Sequence, residues 1–213
     1  MNVKLKNIYD DYFSDYDSKC NQLINNYIQI GNKKTMKALD LGVGDGVNAI
    51  YLAKNGYEVF GNDISKVAIK KAEKKFIKNS LHGHFEVKDV RDVEIFESSY
   101  DFILCSMVAH YLEKNEVVIL VNKIKKGLSP NGIVFFSILS TDDPQYKKNS
   151  QNMLSKYIKT FMSKKEVLKL FDGLSLMLLQ DSMMTACNVP SSIYYDEGNN
   201  IMGDIVYIGR KSG

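Results

Sequence analysis

Residues Ala38 to Asp63 read ALDLGVGDGVNAIYLAKNGYEVFGND and decide the fold, because a strand, a glycine loop, a helix, a second strand and a terminal acid follow one another without interruption. Lys37 to Leu41 is an apolar run that stops at Gly42-Val43-Gly44-Asp45-Gly46. Ala49, Leu52 and Ala53 then recur at helical spacing until Gly56 supplies a stop. Glycines have no Cβ, so such a turn is tight and a ligand can lie directly against its backbone. Tyr57 to Asn62 is the second strand, and Asp63 follows Gly42 by 21 residues. An acid about 20 residues beyond the glycines accepts hydrogen bonds from ribose hydroxyls, so the unit reads as a nucleoside site.

Charge separates two ligand classes for that site. A dinucleotide brings a pyrophosphate, and its loop is usually G-x-G-x-x-G without carboxylates. Here the third glycine comes one residue early, and Asp40 and Asp45 flank the loop. Carboxylates repel a pyrophosphate and suit a ligand with a cationic end, such as the α-amino group of S-adenosylmethionine.

On these residues, Leu39-Asp40-Leu41-Gly42-Val43-Gly44-Asp45-Gly46 resembles motif I of the class I S-adenosylmethionine-dependent methyltransferases. The resemblance continues through Phe85 to Val90, a third strand ending in an acid, and Tyr100 to Ser106, a fourth strand. Val117, Leu120, Val121, Ile124 and Leu128 mark a helical face, Ser129-Pro130-Asn131-Gly132 a turn and Ile133 to Leu139 a buried strand. It covers residues 36 to 140 and implies an α/β, doubly wound Rossmann-like sheet of seven strands, mostly parallel with the last strand antiparallel. Leu174 to Gln180 and Asp204 to Arg210 are expected to form the closing hairpin.

The resemblance also implies the site. Asp40, Gly42, Val43, Gly44 and Gly46 are expected around the methionine part of S-adenosyl-L-methionine, Asp63 at the ribose, and Asp89 with the backbone of Val90 at the adenine. Cys105 and Ser106 fall at the methyl-facing edge, and Asn48 and Ile64 complete the cofactor set. Asn48 to Ala53 and Gly61 to Ser65 are most similar to the tellurite-resistance type and related small-molecule methyltransferases. The tail lacks the histidine-rich stretch expected of that type near the last hairpin.

The acceptor side is read from the flanks. Leu5, Ile8, Tyr9, Tyr12, Phe13, Tyr16, Cys20, Leu23, Ile24 and Tyr27 hold a helical stripe. It is either an ordinary core-facing helix or a cap closing over cofactor and acceptor, with Tyr12 as a candidate catalytic group. His110 is the other, a candidate general base with an unperturbed pKa near neutrality, unless it caps or packs the following helix. Residues 1–34 are thus expected as a cap, 35–140 as the cofactor core, 141–173 as an acceptor-side insertion and 174–213 as the hairpin, in one domain. In the insertion, Ser163 with Glu166 is an expected helix start. Met183 to Asn188 and the loop with Tyr194, Tyr195, Asp196 and Glu197 suit a pocket wall or an irregular core.

Composition narrows the class. A chain of 213 residues with 45% hydrophobic content is enough for one well-buried domain. No signal peptide is legible and no window approaches the ~20 apolar residues of a membrane helix, so a cytoplasmic monomer or homodimer without membrane contact is expected. Cys20, Cys105 and Cys187 lie far apart, giving neither a zinc pattern nor a disulfide framework. His82 and His84 lack a third ligand at sensible spacing, so no metal is expected. The lysines from Lys66 to Lys78 read as the solvated face of a helix that buries Ile69, Ala72 and Phe76, and nucleic acid is not an expected partner. The expected function is methyl transfer to a small-molecule acceptor. Two alternatives stay open: an accessory protein that binds cofactor without catalysis, and an NAD-dependent oxidoreductase.

Overall fold

A computed structural model describes residues 24–28, 35–141, 157–183 and 203–213. Seven strands form one sheet: β1 (Met36–Leu41), β2 (Tyr57–Asp63), β3 (Gly83–Val87), β4 (Tyr100–Ser106), β5 (Leu128–Leu139), β6 (Ser175–Met183) and β7 (Gly203–Arg210). Their spatial order is β3-β2-β1-β4-β5-β7-β6, with β7 antiparallel to both neighbours and every other pairing parallel. The doubly wound mixed sheet expected from the sequence is therefore present.

Alternation along the central strands makes two cores. Leu39, Ile103, Cys105, Val134, Phe136, Ile205 and Tyr207 point to one face, and Ala38, Phe102, Leu104, Ile133, Phe135, Val206 and Ile208 to the other. Strands buried on both faces read as continuous apolar runs, which is why β4 and β5 were legible. Helices α1 (Val47–Lys54) and α2 (Lys66–Lys78) cover the second face through Ala49, Leu52, Ile69 and Phe76. Helices α3 (Lys114–Gly127) and α4 (Lys164–Leu170) cover the first through Val117, Leu120, Val121, Ile124 and Val167.

The ends follow local chemistry. Ser65 caps α2 by accepting the Ala68 N–H at 3.0 Å, and Gly56 takes a φ of 90° after α1. Ser163 and Glu166 form the expected reciprocal capping box at the start of α4. The turn Ser129 to Gly132 lies inside β5, where pairing with β4 jumps from Tyr100↔Leu128 to Phe102↔Ile133. β3 ends at Val87, two residues short of Asp89, which instead caps the 3-10 turn Val90–Asp92. Ile24 is buried against the α1/α2 core; the stripe before it, with Tyr9, Tyr12 and Tyr16, lies outside the described residues. So do residues 142–156 and 184–202. Among the described residues no helix is long and apolar enough to cross a membrane.

Candidate functional site

β1 continues to β2 on one side and β4 to β5 on the other, so the chain diverges at the carboxyl ends of β1 and β4. In open α/β sheets that divergence leaves a crevice for a ligand. Gly42, Gly44 and Gly46 line its floor with φ of 77°, 56° and 85°, a left-handed run that side chains would disfavour. The Gly42 and Val43 N–H groups donate to the Asn62 carbonyl at 2.9 and 2.8 Å, fastening the loop to β2. Gly44 N–H donates to Asp63 Oδ2 at 3.0 Å, and Ser65 N–H to Asp63 Oδ1 at 2.8 Å. Asp63 thus joins the glycine loop to the start of α2. A Cβ on Gly46 would lie 2.9 Å from Ala72 Cβ, so this glycine also permits α1 and α2 to meet.

The two acids flanking the loop have different fates. Asp45 pairs with Lys75 Nζ at 2.7 Å and ties the loop to α2. Asp40 is 2% exposed, and its Oδ2 has no hydrogen-bond partner among the described residues. Burial first, and the nearby Asp63 charge second, push its carboxyl up to about 8. An orphaned buried carboxyl oxygen is costly unless something completes it. A cationic amino group would do so, and in that respect the residues fit the amino-acid end of S-adenosylmethionine.

Two residues beyond β3, Asp89 accepts the N–H of Arg91 at 3.0 Å and its guanidinium through Nε at 3.0 Å and NH2 at 2.7 Å. Burial raises the Asp89 carboxyl, yet the Arg91 bonds and charge outweigh it and hold it below the usual carboxylate range. Arg91 also reaches Glu116 of α3 at 3.0 Å. Val90 is buried beside this ion pair, and Asn48 and Ile64 are half-buried after the loop and after β2.

Two candidates are buried. Cys105 is a fully buried side chain of the α3-side core, because the alternation of β4 turns residues 103 and 105 inward; only its backbone reaches the edge. Burial, and secondarily Asp40, push its thiol up to about 12. His110 lies in the 3-10 turn Ala109–Tyr111, 0% exposed, with neither ring nitrogen hydrogen-bonded among the described residues and its ring 4.0 Å from that of Tyr111. Burial lowers its pKa to about 3, so it is a neutral ring and a weak base. Tyr12 lies outside the described residues. His82 and His84 are exposed, and no cluster able to hold a metal exists among the described residues.

Sequence reasoning missed Ser137, whose Oγ lies 3.3 Å from Ser106 Oγ and accepts the Met107 N–H at 3.1 Å. A single hydroxyl in the run Ile133 to Leu139 was the available signal. It also missed a groove of about 760 Å³ over β2 and β3 on the α3 side, where Phe60, Asn62, His84, Glu86, Phe96 and Tyr100 are among the lining residues. No α-helix lies between β3 and β4, and the Phe60 ring stacks on His84 at 4.7 Å. None of the glycine-loop residues line it.

Residues 38–132 match the family described as a methyltransferase domain. YqeM of Bacillus subtilis (strain 168), whose name is that of a methyltransferase, is 32% identical over 107 residues, 49% of this chain and 43% of that protein. TehB of Haemophilus influenzae (strain ATCC 51907 / DSM 11121 / KW20 / Rd), named a probable S-adenosyl-L-methionine-dependent methyltransferase, is 31% identical over 108 residues, 50% of this chain and 37% of that one. The chain thus matches less than half the length of either relative. The crystal structure of Burkholderia thailandensis 1,6-didemethyltoxoflavin-N1-methyltransferase, with bound 1,6-didemethyltoxoflavin and S-adenosylhomocysteine, shares the fold at a TM-score of 0.66. It is 15% identical, and the match covers 91% of this chain and 77% of that one. The similarity to proteins named as methyltransferases is thus carried by residues 38–132, and the shared fold extends beyond them.

Proposed function

We propose that this protein transfers the methyl group of S-adenosylmethionine to a small-molecule acceptor in the crevice above β1 and β4. The observation that carries the reading is the pair of carboxyls under the glycine loop: Asp63, tied to the loop by Gly44 N–H, and Asp40, buried with an oxygen that no group among the described residues completes. When bound, the cofactor supplies a methyl already activated by its sulfonium.

Each residue then has a physical task. Asp63 would take the ribose hydroxyls from the end of β2, where it also accepts the Gly44 and Ser65 N–H groups. Asp40 would face the α-amino cation, and Gly42, Val43, Gly44 and Gly46 would lie against the methionine part, with Asn48 and Ile64 at its margins. Val90 would meet the adenine edge through its backbone, and Asp89, kept ionised by Arg91, would accept from the adenine amino group. Ser106 ends β4 at the methyl-facing edge, with Cys105 contributing backbone alone.

A base with a pKa of about 3 is far from the pH at which proton removal is efficient. The reading therefore favours an acceptor that attacks without losing a proton to His110, which would serve as a wall of the crevice. The toxoflavin enzyme has a small heterocycle bound, and the shared fold supports an acceptor of comparable size. Tyr12 remains the candidate of the N-terminal cap. The same reading makes residues 1–213 one domain, in the cytoplasm as a monomer or homodimer, without nucleic acid or membrane as partner.

Thermal unfolding in parallel with S-adenosylhomocysteine, S-adenosylmethionine, NAD and NADP tests the cofactor. A ligand at 100 times its Kd adds about 2.7 kcal/mol, and the rise is expected with the two sulfur nucleosides alone. Labelled methyl transfer to a metabolite panel then separates an enzyme from an accessory protein that only binds cofactor.

A further inference from the structure

Ser137 interrupts the apolar run of β5 and is 1% exposed. It pairs in register with Ser106, the last residue of β4, and the two Oγ atoms lie 3.3 Å apart. The next residue, Met107, has a φ of 56° and donates its N–H to Ser137 Oγ at 3.1 Å. A left-handed conformation at a residue with a full side chain is uncommon and persists only where its surroundings impose it. The other three such residues among those described, Ser80, Ser98 and Asn131, are exposed polar positions, whereas Met107 sits at the edge of the crevice.

Val108, next in the chain, meets the site directly. Its Cγ2 stands 2.3 Å from where a Cβ on Gly42 would be, so the valine lies against the glycine loop. Beyond it the His110 carbonyl accepts Lys159 N–H at 2.8 Å and Thr160 N–H at 3.2 Å. The segment 107–110 therefore touches the glycine loop on one side and residues 159–160 on the other.

We propose that Ser137 is a positioning residue for the cofactor: its hydroxyl holds Met107 left-handed, and through Val108 that backbone sets the position of the Gly42 loop. This rests on the reading that the loop seats S-adenosylmethionine. It does not depend on the acceptor.

Titration calorimetry with S-adenosylhomocysteine tests it as a double-mutant cycle. Ser137→Ala should raise Kd about tenfold in the native background, by leaving the Met107 N–H without its acceptor. In a Met107→Gly background, where glycine adopts the same φ unaided, the same change should alter Kd less than twofold. A Kd change under twofold in the native background, or an equal loss in both, would overturn the proposal, even if Tm falls, because a merely structural hydroxyl lowers Tm alone. Should Ser137→Ala not fold, Ser137→Cys keeps the volume, weakens the acceptor and reads the same coupling. Asp63→Ala is the control. If that variant also binds normally, the error lies in the cofactor seat, not in Ser137.

Discussion

Val108 occupies the space that a side chain at Gly42 would need, its Cγ2 lying 2.3 Å from the position of a Cβ there. One contact couples the turn after β1 to the turn after β4, across the crevice at which the two strands diverge. Gly42→Ala meets two separate penalties: a φ of 77°, disfavoured by about 1–2 kcal/mol, and overpacking of about 1–3 kcal/mol. Urea unfolding should show a loss of about 2–5 kcal/mol. Adding Val108→Ala should recover the overpacking part and leave the backbone part; full recovery would mean that the left-handed φ carries no cost here.

Asp63→Ala removes the acceptor of both Gly44 N–H and Ser65 N–H. Binding of S-adenosylhomocysteine should weaken by about 1–3 kcal/mol if charge-assisted ribose bonds are lost. Asp63→Asn should not restore it. The single amide oxygen can satisfy only one of the two N–H donors, and its NH2 would face the other. Normal affinity in either variant, measured by calorimetry, would sink the ribose assignment.

The Asp45–Lys75 pair is two-sided in consequence. Its side chains are only 11% and 21% exposed, so Lys75→Ala leaves a half-desolvated carboxylate and should cost about 1–2 kcal/mol, above the usual surface pair. Cofactor affinity should be unchanged. Asp45→Asn should likewise leave the Kd of S-adenosylhomocysteine unchanged, and a large rise there would show that Asp45 serves the ligand.

The strands and helices of the cofactor half were legible because their signals are local: apolar runs for strands buried on both faces, 3.6-residue periodicity for α2 and α3, glycines at 42, 44 and 46 where φ is positive. Asp63 was legible for the same reason, since its place at the end of β2 fixes its edge. What escaped was pairing across distance. Nothing in the spacing says that Asp45 meets Lys75, 30 residues on, or that Ser137 meets Met107, again 30 residues away. Asp89 could be placed after β3, but its bonds to Arg91 depend on a 3-10 turn too short to have a period. His110 shows the limit most plainly, because its identity suggests a base while its burial makes it a weak one.

Asp40 and His110 are both fully buried, and their titrations oppose one another. Asp40 has a carboxyl near 8 in the fold against 3.8 when unfolded, so the native state holds the extra proton and stability falls as pH rises through that interval. His110 lies near 3 in the fold against 6.5 unfolded, so the unfolded state holds the proton and stability rises with pH up to 6.5. Asp89, Glu116 and Glu166 have lowered values, and their contributions are lost only as pH falls below the carboxylate range of the unfolded chain. Between about pH 5 and 6.5 the two slopes cancel, each about 1.36 kcal/mol per pH unit. Between about 6.5 and 8 the Asp40 slope stands alone among these groups, and it should lower stability by about 2 kcal/mol. Urea midpoints at pH 5, 6.5 and 8 read this directly. His110→Leu should extend the decline down to pH 5, and Asp40→Asn should abolish it above 6.5. An α-amino cation seated against Asp40 would favour the ionised carboxyl, so cofactor binding at pH 7 should release a proton, seen as a dependence of the calorimetric enthalpy on the ionisation enthalpy of the buffer. Equal enthalpies in phosphate and Tris would mean that the cation sits elsewhere.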